Sequence, residues 1–115
     1  NVLLRHDRLW LQEALINVVK NGIEHAGEER IVAVELEDNP VYTRINVKDN
    51  GEGIPEEELA SVFKRFYKGR RSKKNDSVGI GLSLAKSIVE RHGGYIEVSS
   101  KLGQDTSFVI TFLKY

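Results

Sequence analysis

The 115-residue sequence has no cysteine, no methionine, only two prolines and a formal net charge of zero. The missing thiols exclude a disulfide framework, thiol catalysis and thiolate metal binding, and they leave the redox compartment open. No apolar run approaches the roughly 18–20 residues that a membrane-spanning helix needs. The opening stretch, Asn1-Val2-Leu3-Leu4-Arg5-His6-Asp7, lacks the pattern of a signal peptide. It also lacks an initiator methionine, so the expectation is a domain cut from a longer protein. What is present, 40% hydrophobic and 30% charged residues, fits one soluble globular domain with a real core rather than a disordered chain.

The zero net charge is uneven along the chain. Residues 64–74 read KRFYKGRRSKK, with seven bases and no acid, whereas residues 1–63 carry 13 acids against 6 bases. A basic, aromatic-flanked segment suits nucleic acid, a loop closing over an anionic small molecule, or a solvated surface loop.

Periodicity organises the rest. A short apolar strand is expected over residues 2–5, with Asp7 as N-cap of a helix running to Ala26. The apolar set of that helix is Leu11, Ala14, Leu15, Val18, Val19, Ile23 and Ala26, and Gly27 ends it. Ile31 to Leu36 and Val41 to Val47 read as a hairpin turning at Asn39-Pro40. A helix is expected within 56–66, preceded by Pro55, then a flexible loop over 67–78. A helix over 81–92 has Leu82, Leu84, Ala85, Ile88 and Val89 as its apolar set, and Gly93-Gly94 stops it. Strands at 95–99 and 107–113 flank a turn at Gly103. Helices interspersed with hairpin-linked strands predict an α+β, two-layer α/β sandwich.

Three places carry chemistry. Asn17 and Asn21 share one helix face with Glu13, Lys20 and Glu24 nearby. Asparagine is a poor helix former, so two on one stripe suggest that the amides are used. An amide oxygen suits Mg²⁺, which takes hard oxygens together with water and substrate phosphates. In Asp49-x-Gly51-x-Gly53, a carboxylate at a strand end can accept from an exocyclic amine, and glycines let backbone approach a flat ring. Gly79-Ile80-Gly81-Leu82-Ser83-Leu84-Ala85 opens a helix, whose N-terminus attracts anions. It matches neither the dinucleotide fingerprint nor a Walker A loop. Taken singly, they can also be read as surface asparagines, an ordinary Asp-Gly turn and a glycine-containing N-cap.

In combination, Asn17-x3-Asn21, Asp49-x-Gly51-x-Gly53, Phe63-Lys64-Arg65-Phe66, Gly79-x-Gly81-Leu82-x-Leu84-Ala85 and Gly103-x-x-Thr106-x-Phe108 resemble the N box, the F box and the glycine boxes of the sensor histidine kinase ATP-binding domain. The resemblance covers nearly the whole chain. It implies the Bergerat ATP-binding fold, a mixed, mostly antiparallel sheet packed on about three helices. It implies Asn21 as the Mg²⁺ ligand, with Asn17 supporting the phosphate and metal network. Asp49 would accept from the adenine amine, with Gly51 and Gly53 packed by the ring and Ile54 and Thr106 beside it. Phe63 and Phe66 would anchor an ATP lid over residues 67–78, Lys68 would lie near the phosphates, and Gly79, Ile80, Gly81 and Leu82 would form the lid hinge and phosphate contact.

The chain departs from the family pattern at Gly22 (usually Ala), Glu24 (often Lys), His25 (often Tyr) and Asp105 (usually Gly). Lys20 is the candidate replacement for the missing lysine, and the His25 imidazole can still stack on a base. Related ATPases place a glutamate base where this chain has Asn17. An amide cannot take a proton at neutral pH, so transfer to an external nucleophile is expected over water activation. His6, His25 and His92 match no phosphoacceptor motif, so the resemblance implies a separate helical dimerisation domain upstream and a response regulator downstream. It further implies a cytoplasmic location, a monomeric isolated domain, no nucleic-acid partner and no direct membrane contact. The rival readings are an anti-sigma-type serine kinase and a non-catalytic nucleotide- or nucleic-acid-binding module.

Overall fold

Ala14 and Val18 are four residues apart, on one helix face, and both are fully buried. They anchor α1 (Arg5–His25), with Leu11, Leu15 and Val19 packing at the flanks. The computed structural model describes residues 5–26, 31–64 and 81–114, with the side chains of residues 5–8 and 25 left undescribed. The order of elements is α1, β1 (Val32–Asp38), β2 (Tyr42–Asp49), a 3₁₀ helix (Glu56–Ser61), α2 (Gly81–Arg91), β3 (Gly94–Lys101) and β4 (Asp105–Leu113). Among the described residues no helix is long and apolar enough to cross a membrane.

Several expectations change. Arg5 is helical, so the expected strand does not reach it, and residues 1–4 lie outside the described residues. Asp7 lies inside the first turn rather than capping it. An acidic residue is favourable at either position, so composition alone could not separate them. Ile23 is half exposed, because at 100° per residue it falls opposite Ala14. Leu84 likewise turns away from the α2 face formed by Ala85, Ile88 and Val89. Gly27 and the expected loop over 67–78 lie outside the described residues.

The helix expected over 56–66 is a shorter 3₁₀ helix. Its bonds skip three residues, with the Glu58 N–H donating to the Pro55 carbonyl at 2.9 Å and the Lys64 N–H to Ser61 at 3.0 Å. Glu56, Glu57 and Glu58 occupy its first turn. Val62 is buried, and Leu59 and Phe63 reach the core beside it. The Phe63 ring meets Phe108 edge-on at 5.9 Å between centroids.

The sheet order is β1-β2-β4-β3, and every described pairing is antiparallel. Asn39 makes the expected hairpin turn: its Oδ1 accepts from the Val41 and Tyr42 N–H groups at 2.9 Å each. Alternation along the strands sends one set of side chains towards the helices. Cross-strand rows on that inner face are Ile45–Ile110–Ile96 and Val47–Phe108–Val98. With Ala14, Val18, Ile54, Val62, Ala85, Ile88 and Val89 they form the core. Val34 and Leu36 of edge strand β1 continue these rows by register but remain exposed. The outer face is polar, with Glu35, Glu37, Arg44, Asn46, Lys48 and Glu97. The fold is therefore α+β, one sheet covered on one face by helices, as expected.

Candidate functional site

One row of the inner face is polar where its neighbours are apolar. Asp49 at the end of β2 pairs with Thr106 at the start of β4, which pairs with Ser100 near the end of β3. Asp49 and Thr106 are almost completely buried, at 2% and 0% exposure. Burying such groups is tolerable only when they have partners. The Gly51 N–H donates to Asp49 Oδ1 at 2.8 Å, which ties the carboxylate to the loop that follows it.

That loop is held from both sides. The Asn50 N–H donates to the Ile31 carbonyl at 3.2 Å, and the Gly103 N–H donates to the Glu52 carbonyl. The Ile54 N–H donates to Ser100 Oγ at 2.7 Å. Gly53 has φ +83°, and a methyl there would stand 2.5 Å from the Lys101 carbonyl oxygen. Its glycine is thus required by the neighbouring β3–β4 turn and its own backbone. Ile54 is part of the core.

α1 lies over this row. A methyl on Gly22 would sit 3.7 Å from Asp49 Cβ, placing the second half of the helix against the carboxylate. One turn earlier, Asn17 faces the start of α2, with its Oδ1 3.7 Å from the corresponding point on Gly81. Asn17 Nδ2 and Asn21 Oδ1 are shielded from solvent and have no hydrogen-bond partner. One is a donor and the other an acceptor, and each unmade bond costs about 1–3 kcal/mol. A donor beside the N-terminus of a helix suits an anion, and an orphaned amide oxygen suits a hard cation.

The structure thus gathers Asn17, Asn21, Asp49, Gly51, Thr106 and Gly81 at one end of the sheet. Leu82 packs on the core immediately after Gly81. Lys20 is exposed on α1, and His25 is its last residue. Phe66, Lys68, Gly79 and Ile80 lie outside the described residues. His92 closes α2, its Nδ1 2.8 Å from the Ile88 carbonyl, as expected of a C-terminal cap. Ser100 was not legible as a site residue, since a serine on a strand carries no spacing signal.

The family model described as histidine kinase-, DNA gyrase B- and HSP90-like ATPase matches residues 6–115. The chain belongs to this family. The ATPase domain is 35% identical over 109 residues to the sensor histidine kinase YvrG of Bacillus subtilis (strain 168), covering 94% of this chain and 19% of that protein. It is 39% identical over 99 residues to the sensor protein kinase WalK of Staphylococcus aureus, covering 83% of this chain and 24% of that protein. Among solved structures it resembles a mycobacterial sensor histidine kinase, MprB, with a TM-score of 0.82 and 27% identity over 91% of this chain and 72% of the other. The ATPase domain therefore spans about a fifth to a quarter of these curated relatives.

Proposed function

We propose that this ATPase domain is the catalytic, ATP-binding part of a two-component sensor histidine kinase. It binds ATP with Mg²⁺ and donates the γ-phosphoryl group to a histidine on a separate helical dimerisation domain, for relay to a response regulator. A cytoplasmic location follows from that role. The observation that carries the reading is the pair of orphaned, shielded amide atoms on Asn17 and Asn21, between the Asp49 row and the start of α2.

The residues present fit the metal. Asn21 Oδ1 is an acceptor awaiting a cation, and a lone protein oxygen is the usual arrangement when phosphates and water complete the shell. Bound there, Mg²⁺ would neutralise phosphate charge. The protein's own share is positioning. Asp49 accepts from the base, the Asn17 amide donates towards phosphate oxygen, and the N-terminal end of α2 adds dipole stabilisation. Lys20 and the basic residues of 64–74 supply further positive charge. Asn17 offers no basic atom, so the arrangement favours transfer to an incoming nucleophile over water activation, which also sets it apart from an anti-sigma-type serine kinase.

Titration calorimetry with ATP, with and without Mg²⁺, tests the assignment. The wild-type protein should bind ATP more tightly with Mg²⁺, and Asn21→Ala should remove roughly tenfold of that gain, about 1.4 kcal/mol. An Asn21→Ala protein with full Mg²⁺ dependence would refute the ligand role.

A further inference from the structure

The side of α1 that faces away from the sheet carries an apolar line that the core does not use. Leu9, Ile16 and Ile23 stand seven residues apart, and each is about half exposed. Seven residues make nearly two turns, so the three lie almost in line over about 21 Å. They sit opposite the buried Ala14 and Val18 face. Single exposed apolar side chains are ordinary on a protein surface, but a row of them at heptad spacing is the kind of seam along which helices pack. Glu13 and Lys20, also seven apart and both exposed, border one side of the row. Among the described residues neither side chain has an ion-pair partner.

The row reads alike from either end. Leu9 and Ile23 are each seven residues from Ile16, and Glu13 and Lys20 stand three before it and four after it. An antiparallel second copy of α1, crossing on a twofold axis at Ile16, sets Leu9 against Ile23 and Ile16 against itself. The same arrangement brings Glu13 of each copy to Lys20 of the other, two ion pairs per dimer. A parallel arrangement instead sets Glu13 beside Glu13 and Lys20 beside Lys20, so charge selects the antiparallel one. We infer that the exposed face of α1 is a self-association surface, through which two copies of this chain pair antiparallel about Ile16. This departs from the monomeric isolated domain that the resemblance implies, and it does not rest on the nucleotide-site reading. One helix pair of this length covers less than the roughly 1,200 Å² of a stable interface, so the dimer is weak, with a Kd between about 10 µM and 1 mM.

Sedimentation equilibrium without nucleotide tests this, so the share of Lys20 in ATP binding does not enter. Over that concentration range the average mass of the wild type should rise from the 13.0 kDa of one chain towards twice that value. A wild type that stays at the mass of one chain at about 1 mM overturns the inference. Ile16→Glu keeps a good helix former at an exposed position and sets two carboxylates on the axis, so it should remain folded and monomeric throughout. Association that survives it places the contact elsewhere and overturns the inference. Glu13→Lys and Lys20→Glu, each alone, face like charges across the axis and should weaken association about five- to tenfold. The double exchange, Glu13→Lys with Lys20→Glu, should restore the wild-type Kd. Non-specific apolar clustering does not show that rescue, and its absence overturns the antiparallel pairing.

Discussion

At the scale of single residues, the site is made of groups that are awkward where they stand. Asn17 and Asn21 are weak helix formers inside α1, and each keeps a polar atom shielded without a partner. Asp49 and Thr106 are polar residues in a row otherwise suited to core. Such violations of local preference concentrate at functional sites. Gly22 is awkward in another way, because it costs helix stability without a positive φ to justify it. A methyl there would meet Val32 at 3.5 Å and Asp49 Cβ at 3.7 Å, ordinary contact distances. Gly22→Ala should therefore stabilise the protein by about 0.5–1 kcal/mol in urea denaturation. A net loss of stability would show that α1 needs a closer approach to β1 than these distances indicate.

At the scale of elements, the hairpin of β1 and β2 is clamped to the end of the chain. Lys114 Nζ lies 2.7 Å from Asp38 Oδ1, and the Thr43 hydroxyl donates to the same oxygen at 2.7 Å. These two, the Lys114 hydrogen bond foremost, hold the Asp38 carboxyl below its ordinary 3.8. A lowered carboxylate stabilises the fold fully above its unfolded pKa. That contribution is lost as the pH falls through the lower folded value. An NMR titration should place the Asp38 midpoint below 3.8, and Lys114→Ala should move it upward. A midpoint indifferent to Lys114 would mean that the pair is not formed in solution. The pair is exposed, so its effect should also shrink in salt.

At the scale of the whole molecule, the proposed function would give the charge asymmetry a use. The bases at 64–74 sit in sequence between Phe63, docked on Phe108, and the start of α2. A triphosphate needs a local positive field rather than a basic protein, so zero net charge is no obstacle. Because this ATPase domain spans only part of its relatives, transfer is expected to require the rest. Given γ-labelled ATP alone, it should hydrolyse slowly and leave its own His6, His25 and His92 unlabelled. Adding a helical phosphoacceptor domain in trans should yield acid-labile phosphohistidine on that domain. Rapid hydrolysis without the acceptor would contradict the consequence drawn from Asn17.

The sequence by itself determined the periodic elements, because their signals are local. The apolar repeat of α1, the Asn39-Pro40 turn and the glycines after α2 each act over a few residues. It also carried the site's vocabulary, since Asn17, Asn21, Asp49, Gly81 and Thr106 stand in a recognisable order. Only the tertiary structure decided where those elements end and which groups meet. The helix expected within 56–66 is a 3₁₀ helix over Glu56–Ser61, with Val62 and Phe63 reaching the core just after it. Ile23 and Leu84, both within the apolar sets expected from the sequence, are exposed. The strand order β1-β2-β4-β3 inserts the last strand between two others, a long-range pairing that no local pattern encodes. That insertion sets Thr106 between Asp49 and Ser100, and so builds a polar row from residues far apart in the sequence.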